Sequence, residues 1–336
     1  MSMKYKGKKL LLIAPLFFGY YKEIIKEAEI MGMNADYICD APSNSNMSKA
    51  IGRINKKLIN GAAKRYFKQK VYPIIKNTKY DYIVLIAGMT FAFTPEMIKK
   101  IKERQAGARF IIYQWDSEQN IQYVTKIHKY FDRIYSFDRF DSERNPIYIF
   151  LPLFYTRLYE KIADETAYGR TEYNCLYIGT AHPQKFKAIN DMAEAVKEEM
   201  PSQFLYHYMP SKLKYYYHKF TAPEYKNASL KDFEFKKIKK DEMVRLFQQS
   251  DCILDAPQSG QSGLTIRTLE CLGAKKKLIT TNKDVVNYDF YNESNILVFD
   301  GEINTATPFF WNDFKEIPDN IYRKYSLRCW MDTLLS

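Results

Sequence analysis

Residues 251–282 read DCILDAPQSGQSGLTIRTLECLGAKKKLITTN, and their pattern decides the fold. Cys252–Asp255 is an apolar run of strand type, followed by a polar turn of Gln, Ser and Gly. A helix begins near Leu264, Gly273 stops it, and a second strand follows over Lys277–Thr281. A strand that opens into a Gly/Ser loop at a helix N-terminus is an anion-binding device. The unpaired N–H groups and the positive end of the helix dipole both point at the ligand. Arg267 and Glu270 lie four and seven residues beyond Gly263, hence on one face of the helix. One cation, one carboxylate and a nest of N–H groups suit a molecule with both phosphate and sugar hydroxyls, such as a nucleotide-sugar. The competing reading is a structural turn in which Arg267 merely pairs with Glu270.

Outward from this segment, the chain alternates strand and helix. Strands are expected at Lys9–Ala14, Ala35–Cys39, Tyr82–Ala87, Arg109–Gln114, Arg133–Ser136 and around Tyr148–Leu151. A second series follows at Asn174–Ile178, Phe204–Tyr208, Cys252–Asp255, Lys277–Thr281 and Ile296–Phe299. Near-continuous apolar strands separated by helices mean parallel sheets covered on both faces. The expectation is an α/β protein of two Rossmann-like, doubly wound domains facing a cleft. The first spans 1–156, a polar linker 157–172, the second 173–310, and a C-terminal helix over 311–336 crosses back to the first. Neither half carries GxGxxG after its first strand, which argues against a dinucleotide-dependent dehydrogenase.

Composition sets the outer bounds. The 336 residues suffice for two domains with cores of their own, and 46% apolar residues exclude a largely disordered chain. The five Cys are scattered without zinc spacing, which reads as free thiols in a reducing compartment. No window reaches the roughly 18–20 apolar residues that span a bilayer. The apolar run after the basic N-terminus breaks at Pro15 and Gly19, so it reads as a first strand rather than a signal peptide. The expected location is cytoplasmic, peripheral on the inner face of the membrane. The formal charge of +12 is uneven: 41–80 holds ten Lys or Arg and no acid. Segment 47–77 reads as a basic amphipathic helix, either a contact for anionic membrane or a solvated helix packed on a sheet. YHYMPSKLKYYYHKF, 206–220, has the makings of a base-stacking surface, but Tyr and Phe abound throughout, and nucleic acid is not the favoured partner.

The C-terminal half, in Tyr177-Ile178-Gly179 and SGQSGLTIRTLECLGAKKKLITTN, resembles the donor domain of GT-B-fold glycosyltransferases. These are enzymes of bacterial capsular and lipopolysaccharide biosynthesis, a group related to spore-maturation glycosyltransferases. Tyr113-Gln114-Trp115-Asp116-Ser117 followed by RIYSFD, and the terminal YSLRCW, are similar to paired segments and a returning last helix of that group. The resemblance implies a nucleotide-sugar donor as substrate, no separate cofactor, and a glycan or lipid-linked acceptor in surface polysaccharide synthesis. It also implies that Glu270 binds the donor ribose. The upstream Glu of many retaining members is Ser262 here, so a retaining mechanism does not carry over.

Glycosyl transfer must stabilise a departing nucleoside diphosphate. Gly260, Gln261, Ser262, Gly263 and Thr265 are the expected N–H donors and Arg267 the cation, with Gly179 and Thr180 at a neighbouring strand end. An inverting reaction needs a base; Asp116 is the first candidate, with a helix N-cap for the residues after Ser117 as its structural alternative, and Asp138, at the end of the next strand, is the second. His182 before Pro183 closes a turn or touches phosphate, and Gly19 permits close approach on the acceptor side. The DRFD at 138–141 has the wrong spacing for a metal pair, so no metal is expected. A sugar-nucleotide epimerase of the same architecture and an RNA- or polyanion-binding protein are the alternatives.

Overall fold

The computed structural model describes residues 4–16, 19–42, 56–88, 91–166, 171–257 and 262–336. The chain divides into two compact units, Met1–Pro152 with Leu327–Ser336, and Leu153–Ser326. The first holds a six-stranded parallel sheet, order β2-β1-β3-β4-β5-β6. Its strands are β1 Lys9–Ala14, β2 Asn34–Cys39, β3 Tyr82–Ala87, β4 Arg109–Gln114, β5 Arg133–Ser136 and β6 Ile149–Phe150. The second holds β7 Tyr173–Thr180, β8 Gln203–Tyr208, β9 Ser250–Asp255, β10 Lys277–Thr280 and β11 Ile296–Val298, in the order β11-β10-β9-β7-β8. Five consecutive residues are buried in β1, in β3 and in β4, as expected for strands covered on both faces.

The principal helices are α1 Tyr20–Ile30, α2 Lys56–Tyr66, α3 Tyr72–Asn77, α4 Pro95–Arg104, α5 Arg157–Thr166, α6 Pro183–Ala195, α7 Lys212–Thr221, α8 Lys240–Gln248, α9 Ile266–Gly273 and α10 Leu327–Leu335. Ala63, Phe67, Val71 and Ile75, at spacings of four, lie in the first core with Leu11, Leu85 and Ile112. The apolar face of the basic segment is thus spent on its own sheet, and Lys64, Arg65, Lys68 and Lys70 point outward. Residues 47–55 of that segment lie outside the described residues.

Three expectations need correction. Segment 157–172 is not a polar linker. Its first ten residues form α5, which buries Tyr159 and Ile162 against α8 and α9. Two inward apolar residues make too short a stripe to register as a helical period. The C-terminal helix is two helices, Asp319–Lys324 and α10, and only Leu327–Ser336 belongs to the first unit. There Trp330 packs edge-on against Tyr113, with ring centroids 4.9 Å apart.

Gly273, finally, does not stop α9 by its backbone. It is the last residue of the helix, Ala274 is the C-cap, and Lys275 takes the left-handed conformation at φ 51°. Gly273 is required by packing: a Cβ there would stand 2.5 Å from Cγ of the fully buried Tyr155. A left-handed Lys is strained by about 1–2 kcal/mol. Lys275→Gly relieves that strain and gives up an exposed ion pair to Glu316 and a distant contact of the ammonium with the Tyr322 ring, 5.7 Å from its centroid. We expect a gain of about 1 kcal/mol, read as a higher urea midpoint at unchanged slope; a lower midpoint would refute the strain argument.

Candidate active site

In each parallel sheet the direction in which successive strands are added reverses once, between β1 and β3 in the first unit and between β7 and β9 in the second. At such a switch point the loops leaving two adjacent strands part to opposite faces and open a crevice at the carboxyl ends.

At the second unit's switch point, β7 ends in Gly179-Thr180 and β9 in Asp255. Asp255 is buried and accepts a hydrogen bond from the Thr265 hydroxyl. Thr265 is the N-cap of α9, and its oxygen accepts from the Thr268 N–H at 3.3 Å. The hydroxyl is therefore committed on both sides, and Thr265 can offer a ligand only its backbone. Lys185, in the first turn of α6, reaches across so that its Nζ lies 3.4 Å from Asp255 Oδ1. Asn282 Nδ2 holds the carbonyls of Ser262 and Gly263 at 3.4 and 3.3 Å, which fixes the path of the loop into α9. Gly260 and Gln261 lie outside the described residues.

Arg267 donates through Nη2 to the Ile178 carbonyl at 3.3 Å, and its guanidinium lies over the Phe247 ring, 5.0 Å from the centroid. Its Nη1 forms an ion pair with Glu270 Oε2 at 2.8 Å. Glu270 is buried, with Arg267 on one side and Tyr159 on the other. Burial first, and then the Glu270 charge, push the Tyr159 phenol far above its usual range. The pairing foreseen as the structural alternative is therefore present, and it aims the guanidinium at the end of β7.

Gly179 is still within β7, in register with His207 on β8. Alternation places Tyr177 and Gly179 on one face. A Cβ on Gly179 would stand 2.3 Å from the Tyr177 hydroxyl, so the glycine makes room for that ring. Gly179 therefore serves strand packing and not a tight turn. The Tyr177 hydroxyl and both His207 ring nitrogens are buried without hydrogen-bond partners among the described residues. Rings of Tyr177 and Phe186 flank the imidazole at 4.9 and 4.8 Å. This burial pushes the His207 pKa down to about 4. His182 is the N-cap residue of α6 with Pro183 following, the turn-closing arrangement.

In the first unit, Gly19 is the N-cap of α1 at φ 78°, a left-handed conformation suited to glycine, and a Cβ there would meet nothing within 4 Å. Asp116 follows β4 and is half-buried, its Oδ2 being the atom nearest a Cβ placed on Gly88 at the end of β3. It is not an N-cap; Ser117 holds that position for the short helix Glu118–Ile121. Asp138 must be withdrawn as a base. It is fully buried, caps the helix Arg139–Arg144 through the Phe140 N–H at 3.0 Å, and accepts from the Ser117 hydroxyl. A Ser-Phe-Asp at a strand end reads equally as a cleft carboxylate or a cap, and the next helix, absent from the sequence reading, decided it. The Tyr123 phenol donates to the Gly88 carbonyl at 2.7 Å. Burial pushes it upward first, then the charges of Asp40 and Asp116, so both carboxylates act at this strand end.

Lys185, Asp255 and Asp40 escaped the sequence reading. Each stands at a strand end or in a first helical turn, which was signal enough for position, but the meeting of Lys185 with Asp255 in the second unit depends on strand order. Among the described residues no group of three or more His, Cys, Asp or Glu is placed to hold a metal ion.

Two Rossmann-like parallel sheets in series, each with its switch point, define the GT-B fold of glycosyltransferases. Solved structures bear this out. An alpha-glucosyltransferase in complex with UDP and a 13-mer DNA matches at a TM-score of 0.56 and 14% identity, over 98% of this chain and 93% of its own. HepE from Anabaena, in complex with UDP and glucose, matches at 0.55 and 10% identity, over 98% and 99%. The lipopolysaccharide outer core galactosyltransferase WaaB, in its apo form, matches at 0.52 and 12% identity, over 97% and 99%. Identities this low establish the fold alone. No family model matches the chain, and no curated protein does.

Proposed function

We propose that this chain is a glycosyltransferase that takes a sugar from a nucleoside-diphosphate donor and passes it to a glycan or lipid-linked acceptor of bacterial surface polysaccharide. One observation carries the reading. Lys185, Arg267 and the N-terminus of α9 converge on the carboxyl ends of β7 and β9, the switch point of the second sheet. Two cations and a helix N-terminus are the groups that stabilise the charge growing on a departing diphosphate. They act without a metal ion in this proposal. The GT-B neighbours with UDP bound support a donor of this class. Glu270 orients Arg267 and is the residue proposed to meet a ribose hydroxyl of the donor. Asp116 takes the acceptor proton, as a half-buried carboxylate just beyond the end of β4, beside the β1/β3 switch point of the first unit.

The test is a thermal-shift panel of UDP, GDP, CMP and dTDP sugars. A donor at a hundred times its Kd adds about 2.7 kcal/mol to the stability of the unit that binds it. Lys185→Ala removes one charge-assisted contact worth about 2 kcal/mol, so the donor Kd should rise roughly thirtyfold. Asp116→Asn should leave the donor shift intact and abolish transfer. If no nucleotide sugar stabilises the wild type, the proposal fails.

A further inference from the structure

Helix α7, KLKYYYHKFT, points its apolar side the wrong way for a globular protein. Leu213 is 80% exposed, Phe220 85%, Tyr217 63% and Tyr216 46%, whereas Tyr215 is 4% exposed. Positions 213, 216, 217 and 220 follow the helical repeat and fall within an arc of about 100°. Lys212 and Lys214 border that arc on either side, and the helix carries no acid. The opposite face is firmly held. Tyr215 sits in a satellite core with Phe186, Tyr225 and Phe233, and its hydroxyl donates to the Ala228 carbonyl at 3.0 Å. Lys219 Nζ donates to the Lys226 and Ala228 carbonyls, both at 2.7 Å. The apolar stripe is therefore displayed on a fixed platform, and its exposure does not come from a loosely packed helix.

We propose that α7 is a membrane-docking helix for an anionic bilayer. It lies in the interfacial plane, with Leu213, Tyr217 and Phe220 entering the acyl boundary and Tyr216 at the headgroup level. Aromatic and aliphatic residues on one side with lysines along the edges are the composition of such helices. Charge complementarity selects anionic lipid: nine lysines against three acids lie between Lys212 and Lys240. The basic segment of the first unit differs, since its Ala63, Phe67, Val71 and Ile75 are in the core. Among the described residues that segment offers a bilayer mainly charge.

Flotation of the full chain with phosphatidylcholine vesicles, with and without phosphatidylglycerol, tests this. Wild type should float with the anionic vesicles, and added salt should weaken but not abolish the binding. Leu213→Ser with Phe220→Ser should lower partitioning at least about tenfold. Lys64→Gln, Arg65→Gln, Lys68→Gln and Lys70→Gln together should lower it less than the double substitution does. In a Phe220→Trp variant, tryptophan emission should move to the blue when vesicles are added. Unchanged flotation of the double variant, or emission that does not move, overturns the proposal. A dimer in solution that the double variant abolishes overturns it in favour of self-association, and RNA binding lost in the same variant overturns it likewise. The donor-induced melting shift should be the same in wild type and double variant, so failure here is separable from failure of the donor site.

Discussion

Glu270→Ala is expected to lower the melting temperature of the second unit by about 6–12 °C. The substitution strips a buried guanidinium of its counter-charge: the Glu270 side chain is 4% exposed and that of Arg267 19%. Removing one partner of such a pair destabilises by about 3 kcal/mol or more, because the remaining charge stays desolvated. For a unit of this size each kcal/mol moves the midpoint about 2–4 °C. A second comparison separates stability from binding. Arg267→Met with Glu270→Leu replaces the pair by apolar side chains of similar volume and should recover most of the lost stability. It should not recover the melting shift produced by a nucleotide sugar. If the double variant regains both, the pair is a fold element and the donor phosphates are bound elsewhere. If Glu270→Ala melts with the wild type, the ion pair contributes little and the stability argument is wrong.

Acidification from neutral pH to pH 4 is expected to remove about 3 kcal/mol of stability through His207 alone. Its imidazole is buried between Tyr177 and Phe186, and that burial holds its pKa at about 4 against 6.5 for the free side chain. The folded state therefore binds the proton less well than the unfolded state. The contribution is fully present above pH 6.5 and is lost as pH falls through the window between 6.5 and about 4. Burial lowers His128 and His218 as well, so they act in the same direction. His207→Phe isolates the term. The variant should lose distinctly less stability than wild type between pH 7 and pH 4 in urea titrations. Parallel curves for the two proteins would show that the imidazole is not held neutral by burial.

The strand plan was largely legible in the sequence. Runs such as KLLLIA and YIVLIA are too short for helices and too apolar for half-exposed strands, so parallel sheets covered on both faces follow from hydrophobicity alone. The order strand, loop and helix within segment 251–282 was legible in the same way. Helices with few inward residues were not legible. α5 seats Tyr159 and Ile162 in a core and α7 seats Tyr215, and one or two anchors leave no period to detect.

What the sequence by itself determined, then, is local: where strands run, where a helix N-terminus follows a strand, and which residues sit near it. Which of those residues meet was decided only by the tertiary structure. Lys185 and Asp255 are seventy residues apart, and they come within 3.4 Å because β7 and β9 are neighbours in the sheet. Asp138 and Asp116 looked alike as carboxylates after strands, yet one is consumed as a cap and the other is half-exposed. The reason is physical. Secondary structure follows from short-range periodicity, whereas burial and hydrogen-bond satisfaction depend on which distant segment closes over a side chain. Segment 251–282 thus placed Arg267 at the start of a helix after a strand, and the strand order around it brought Lys185 to the same strand ends.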